Sequence, residues 1–177
     1  MNKLLILAAF WMVASVSYAN IVVSPGVSYI SNKYDQTTPS ADIGDSTQTL
    51  VDVRLGYILP MGLYLGAMYS HIGGDDASSS GNMMGPTVGY FSSMTGFYTL
   101  LTYHISGEFG DTTKYTGAQG PQVDLGWIFP VTRYFSIGPQ LTWRSIEFSK
   151  IESGPISVDT DFKRSTVAPY ISLWFMF

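Results

Sequence analysis

The densest run of reactive side chains is His104-Ile105-Ser106-Gly107-Glu108. If this run is a strand, residues two apart share a face. His104 and Ser106 then meet, with Glu108 one step on, in the order base, nucleophile, acid. Such a set suits acyl transfer, in which an imidazole takes the proton of an attacking hydroxyl. The competing reading is hydrogen bonding near the rim of a sheet, and it is preferred: the run faces the polar side of its strand, and Glu108 lies at the wrong spacing to orient the imidazole. A second cluster, His71 with Asp75 and Asp76, sits in a Gly/Ser-rich loop and reads as a solvated turn rather than a metal site. No phosphate loop, dinucleotide fingerprint, zinc motif or EF-hand loop occurs, so neither a cofactor nor a metal is expected.

A third group is made of isolated charges within alternating segments. Asp52, Arg54, Asp124, Arg144 and Arg164 each fall on the same side of a strand as glycine, serine, threonine and glutamine. Charges buried there must pair or reach trapped water. They are expected to form a structural polar network.

The elements that position these groups are strands. Period-two alternation recurs in eight segments: 21–33, 47–59, 62–72, 83–90, 97–106, 121–129, 135–148 and from about 163 to 177. Between them the connections alternate long and short. The four long ones, Tyr34–Ser46, Gly73–Asn82, Gly107–Gly120 and Ser149–Phe162, are polar loops, whereas Pro60–Gly62, Ser92–Gly96 and Pro130–Tyr134 are tight turns. An even number of antiparallel strands with long loops at one end is the pattern of an outer-membrane barrel.

Composition fixes which face looks outward. Charged residues make up 12% of the chain and aromatics 15%. Gly26, Gly56, Gly66, Gly85, Gly89, Gly126 and Gly138 all lie on the polar face, and Lys33, Lys114, Lys150 and Lys163 lie at strand ends or in loops. A solvated strand face would carry lysine and glutamate, whereas the inside of a narrow barrel needs small residues. The aliphatic face therefore points out. It carries two aromatic girdles: Tyr57, Tyr90, Phe97, Phe129, Phe175 and Phe177 near the short turns, and Tyr29, Tyr69, Tyr103 and Trp143 near the long loops. Three outward prolines, Pro25, Pro86 and Pro139, are expected to mark bulges.

At the N-terminus, Lys3, the apolar stretch Leu4–Val16 and Ser17-Tyr18-Ala19 form a secretory signal, giving a mature chain from Asn20. The net charge of −4 and the lack of a basic cluster exclude a nucleic-acid partner, and zero cysteines exclude a disulfide framework.

The final strand, Val167–Phe177, alternates strictly and ends on Phe177 with Phe175 two residues before it. It resembles the closing strand of bacterial outer-membrane β-barrels, with Ser172 where that family often has glycine. The resemblance implies that Phe175 and Phe177 are the signal read by the barrel-assembly machinery, and that residues 20–177 form an all-β, eight-stranded, antiparallel, up-and-down transmembrane barrel of a Gram-negative outer membrane. It implies lipid and lipopolysaccharide as surroundings and a monomer as the working state. Eight strands leave an interior that side chains fill. The expected role is therefore structural or surface-interacting, through the four loops, and not enzymatic. The His104-x-Ser106 element is also similar to that of the outer-membrane lipid A deacylases, although Gly107 stands where they have asparagine. A deacylase-like enzyme and a small porin-like pore are the alternatives.

Overall fold

Alternation fixes the architecture stave by stave. In the computed structural model, residues 20–32, 46–74, 80–110 and 113–177 are described. The expected signal segment, Lys33, most of the expected loop Tyr34–Ser46, and Asp75 and Asp76 lie outside them. Among the described residues there are eleven strands: β1 (Asn20–Asn32), β2 (Ser46–Ile58), β3 (Leu63–Gly74), β4 (Gly81–Phe91), β5 (Phe97–His104), β6 (Ser106–Phe109), β7 (Thr113–Thr116), β8 (Gly120–Trp127), β9 (Phe129–Pro130), β10 (Phe135–Ser153) and β11 (Ile156–Met176). β5 and β6 are one stave interrupted at Ile105, and β7, β8 and β9 are another. The described residues thus make an antiparallel ring of eight staves, which closes where β1 pairs with β11. At that seam Ile21 and Phe177 exchange backbone hydrogen bonds of 3.1 and 2.9 Å.

The stagger follows from the register. From Met176 the pairing runs through Val22, Gly56, Gly66, Thr87, Thr102, Gln122 and Arg144 and returns to β11 at Thr166, ten residues from its start. Eight staves with that shear require tilted strands and leave a narrow interior.

Burial confirms the direction of the faces. Val27, Leu55, Leu65, Val88, Leu101, Leu125, Leu141 and Ile171 are exposed on the outer wall, while Ser24, Ser70, Thr87, Gln122 and Thr142 are buried. Between the girdles, the outward positions of the described residues carry no charge. Each outward Leu, Ile or Val gains about 1.5–3 kcal/mol on leaving water for an apolar medium. A charge at mid-depth would cost about 2–4 kcal/mol.

The loop expectations need correction. Gly107–Gly120 is read as a long polar loop, but Ser106–Phe109 and Thr113–Thr116 pair as a hairpin and continue the wall. Ser149–Phe162 is also mostly strand: β10 and β11 run on to a tight turn at Gly154-Pro155, where Gly154 has a φ of 60°. Its backbone groups find partners in β7 and across the hairpin. The prolines behave differently from one another. The register gains one residue next to Pro86, where Thr87 pairs with Thr102 but Met84 pairs with Ser106. At Pro25 and Pro139 the register runs on unchanged and only the ladder is interrupted, on the side where the ring nitrogen has no hydrogen to donate.

Candidate functional site

The lumen is layered, rather than polar throughout as the sequence implies. At the short-turn end Val22, Ile58, Tyr64, Phe91, Tyr98, Leu100, Ile128 and Trp174 form an apolar plug. Trp174 is its centre, stacked on Phe91 at 5.4 Å between ring centroids and tilted against Tyr98 at 4.7 Å. Its indole N–H donates to Ser172 Oγ at 3.0 Å. Near the long-loop end a second plug contains Leu50, Ile72, Met83, Ala118, Ile146, Phe148, Ala168 and Tyr170.

Between the plugs lies a polar band built on two carboxylates. Asp124 accepts from Arg54 at 2.8 Å, Thr142 at 2.7 Å, Gln122 at 2.9 Å and Gln140 at 3.2 Å. Asp52 accepts from Ser70 at 2.6 Å, from Arg144 at 3.1 and 3.2 Å, and from Gln122 at 3.2 Å. The Gln122 amide thus donates to both carboxylates. Arg144 also donates to Tyr170 at 2.6 Å, and Tyr98 donates to Gln140 Oε1 at 2.9 Å. Arg54 on β2 reaches Asp124 on β8 across the lumen, not along a ladder. Two positive and two negative charges cancel, all of them buried. Arg164 is set apart from this band: it donates to Gln48 and lies over the Phe109 ring, 4.6 Å from its centroid, at the upper rim.

The alternation read from sequence identifies Gln122, Gln140 and Thr142 as inward-facing but does not reveal them as partners of the charges. Ser70 likewise carries no signal beyond its inward register. What joins them is the curvature of the closed wall.

His104 and Ser106 do not meet. The extra residue at Ile105 reverses the alternation, so His104 is fully buried in the lumen while Ser106 is exposed on the outer wall. A one-residue slip turns every following side chain to the other face. His104 Nε2 is 3.1 Å from Gln122 Oε1, and its Nδ1 has no partner among the described residues. Glu108 instead pairs with Lys114 on β7, at 3.5 Å. Among the described residues the imidazole makes no hydrogen bond to a carboxylate or a hydroxyl. His104 and Ser106 thus lie on opposite sides of the wall and do not form a nucleophile–base pair.

Phe175 stacks on Phe135 at 5.0 Å, and Phe177 stacks on Tyr134 at 6.5 Å. His71 is exposed near the upper end of β3, and no group of three potential metal ligands occurs among the described residues. No described helix is long and apolar enough to cross a membrane.

The ring has a counterpart among solved structures. The crystal structure of Neisserial surface protein A superposes with a TM-score of 0.55 at 15% identity, over 90% of this chain and 99% of that one. The fold is that of the small eight-stranded outer-membrane barrels. A mutant of Rh. blastica porin matches at 10% identity with a TM-score of 0.20, over 90% of this chain and 99% of that one, too low a score to carry a structural comparison. No family model and no curated relative matches the chain.

Proposed function

We propose that the chain is an integral protein of a bacterial outer membrane, exported by a cleaved signal, and that it acts as a closed, non-enzymatic wall element with an interactive outer surface. The observation that carries this reading is the pairing of an uncharged apolar outer band with a lumen sealed at three levels. Such an outer face is stable only against lipid. The lumen offers an ion no continuous path, because two apolar plugs flank the charged band. On this reading the hairpins at the long-loop end face the exterior, in keeping with the likeness to a Neisserial surface protein. Phe175 and Phe177, which close the ring against β10 and Tyr134, serve as the assembly signal. The protein works as a monomer, since its ring closes on itself within one chain.

The test is in two parts. Folded protein in vesicles should migrate faster on gels before heating than after, and planar bilayers containing it should show no conductance steps. Discrete steps that persist in heat-modifiable preparations would overturn the sealed lumen and restore the pore.

A further inference from the structure

The outer wall should be smooth where staves run side by side, yet it holds a concavity of about 810 Å³ just above the upper girdle. Its cause is local. The stave of β7 and β8 is broken between Thr116 and Gly120, where Gly117 and Gly120 have φ values of 70° and 147°. Ala118 turns into the lumen and is fully buried. Gln119 is held against Glu147 by a reciprocal pair of backbone hydrogen bonds of 2.9 and 2.8 Å. Small residues then meet at one level: Gly120 backs onto the Ser145 carbonyl, and Ser165 Oγ bonds Ser145 Oγ at 3.2 Å. Ser145 has an outward register and is nevertheless only 7% exposed, which makes it the floor of the depression.

The lining has a distinctive chemistry. Tyr103 and Trp143 stand on either side of β8 at the lower rim, half-exposed, with Pro121 and Val123 between them. Above them lie Gln119, Glu147, Asp161 and Lys163. Lys163 is already neutralised by Glu147 at 2.8 Å, so Asp161 leaves the groove one charge negative. A phosphate is thereby disfavoured, whereas hydroxyl donors find carboxylate, amide and serine oxygens to accept them. Flat aromatic faces beside planar acceptors suit a pyranose, which presents an apolar C–H face and a rim of hydroxyls.

We propose that this groove binds the sugar of an outer-leaflet glycolipid through its hydroxyls. Depth favours a lipid-borne sugar over a free one: the groove sits directly above Tyr103 and Trp143, the girdle that marks the membrane boundary, so acyl chains run down the apolar wall while the sugar meets the groove. This assignment rests on the outer-membrane reading above.

The test uses the full mature barrel in phosphatidylcholine nanodiscs doped with a neutral diglycosyl diacylglycerol, with phosphatidylglycerol, or with neither, and exposed in parallel to the free disaccharide. Retained lipid is read by native mass spectrometry. The diglycosyl lipid should be retained about tenfold over phosphatidylglycerol, a difference of about 1.4 kcal/mol. Trp143→Leu and the exposed-pair variant Glu147→Gln should each abolish most of that preference. Heat-modifiable migration is measured on the same samples: failure to insert would defeat the outer-membrane reading, whereas an inserted barrel without glycolipid preference defeats only the site. Equal retention of the two lipids, or wild-type retention by Trp143→Leu, would overturn the proposal. Equally tight binding of the free disaccharide would assign the groove to soluble sugar and overturn the glycolipid source.

Discussion

Asp124 accepts from four side chains and Asp52 from three, so removal of Asp124 should be the most informative single change in the lumen. Arg54, Thr142, Gln122 and Gln140 all donate to Asp124. In Asp124→Leu, the fully buried Arg54 is left with Asp52 at 3.7 Å, a carboxylate that Arg144 already holds at 3.1 Å. One uncompensated buried charge costs about 3–5 kcal/mol. Stranded neutral donors cost about 1–3 kcal/mol each where they find no new partner. Adding Arg54→Met removes the stranded charge while keeping a long side chain in the space. The double variant should therefore recover at least about 2 kcal/mol relative to Asp124→Leu, a strong positive coupling. Urea titration in lipid vesicles reads this through tryptophan fluorescence, since Trp174 packs on Tyr98 and Phe91 below the band. The slope with denaturant should stay constant and only the midpoint should move. A cost below about 1 kcal/mol for Asp124→Leu, or a double variant no better than the single, would refute the paired-charge account and mean that solvent reaches the band.

Two further substitutions test the wall and the rejected chemistry. His104→Ala should destabilise by about 1–3 kcal/mol by stranding its Gln122 partner, whereas exposed Ser106→Ala should stay within about 0.5 kcal/mol; lipid A acylation, followed by mass spectrometry, should be the same with either variant, and a change caused by Ser106→Ala would revive the enzyme. Gly138→Ala would drive a Cβ into the Trp127 carbonyl oxygen, so the fast-migrating folded band should vanish, while Gly26→Ala, whose nearest neighbour is 3.5 Å away, should keep it.

How far the sequence carries depends on whether a feature is set by alternation or by closure. Seven of the eight expected segments begin within two residues of an observed strand; the last, placed from about Lys163, in fact begins at Ile156. The outward direction of Leu55 or Leu141 is legible because glycines and lysines shun that face. Ser106 is not legible, because the extra residue at Ile105, across from the Pro86 region, leaves the composition unchanged while it reverses which face the following residues take. The strands Ser106–Phe109, Thr113–Thr116 and those of 149–153 and 156–162 are missed for a related reason: the polar stretches that hold Gly107, Gly110, Gly117 and Gly154 look like loops, but pairing with adjacent staves makes these segments strand. The Arg54–Asp124 pair and the groove floored by Ser145 both join distant parts of the chain. Either becomes visible only once the ring has a circumference.

The same circumference explains why large inward side chains come with glycines, and the explanation can be tested at one site. A ring of eight staves has room for about one layer of side chains across its interior. Tyr98 fills that room at the level of Gln140 and Trp174, and the atoms nearest a Cβ built on Gly126 are all from its ring and hydroxyl, none farther than 2.7 Å. The conflict in Gly126→Ala is thus with a side chain and not with backbone, in contrast to Gly138. Overpacking of this kind costs about 1–3 kcal/mol. In a Tyr98→Leu background the ring is gone, and the added methyl should cost almost nothing or fill part of the space it leaves. Tyr98→Leu by itself is destabilising, since it removes the Gln140 hydrogen bond and the Trp174 contact. The decisive quantity is therefore the difference between the costs of Gly126→Ala in the two backgrounds. A coupling of at least about 1 kcal/mol is expected from vesicle unfolding. If Gly126→Ala costs the same with tyrosine or leucine at position 98, the glycine is required by the backbone, and lumen packing is not what selects it.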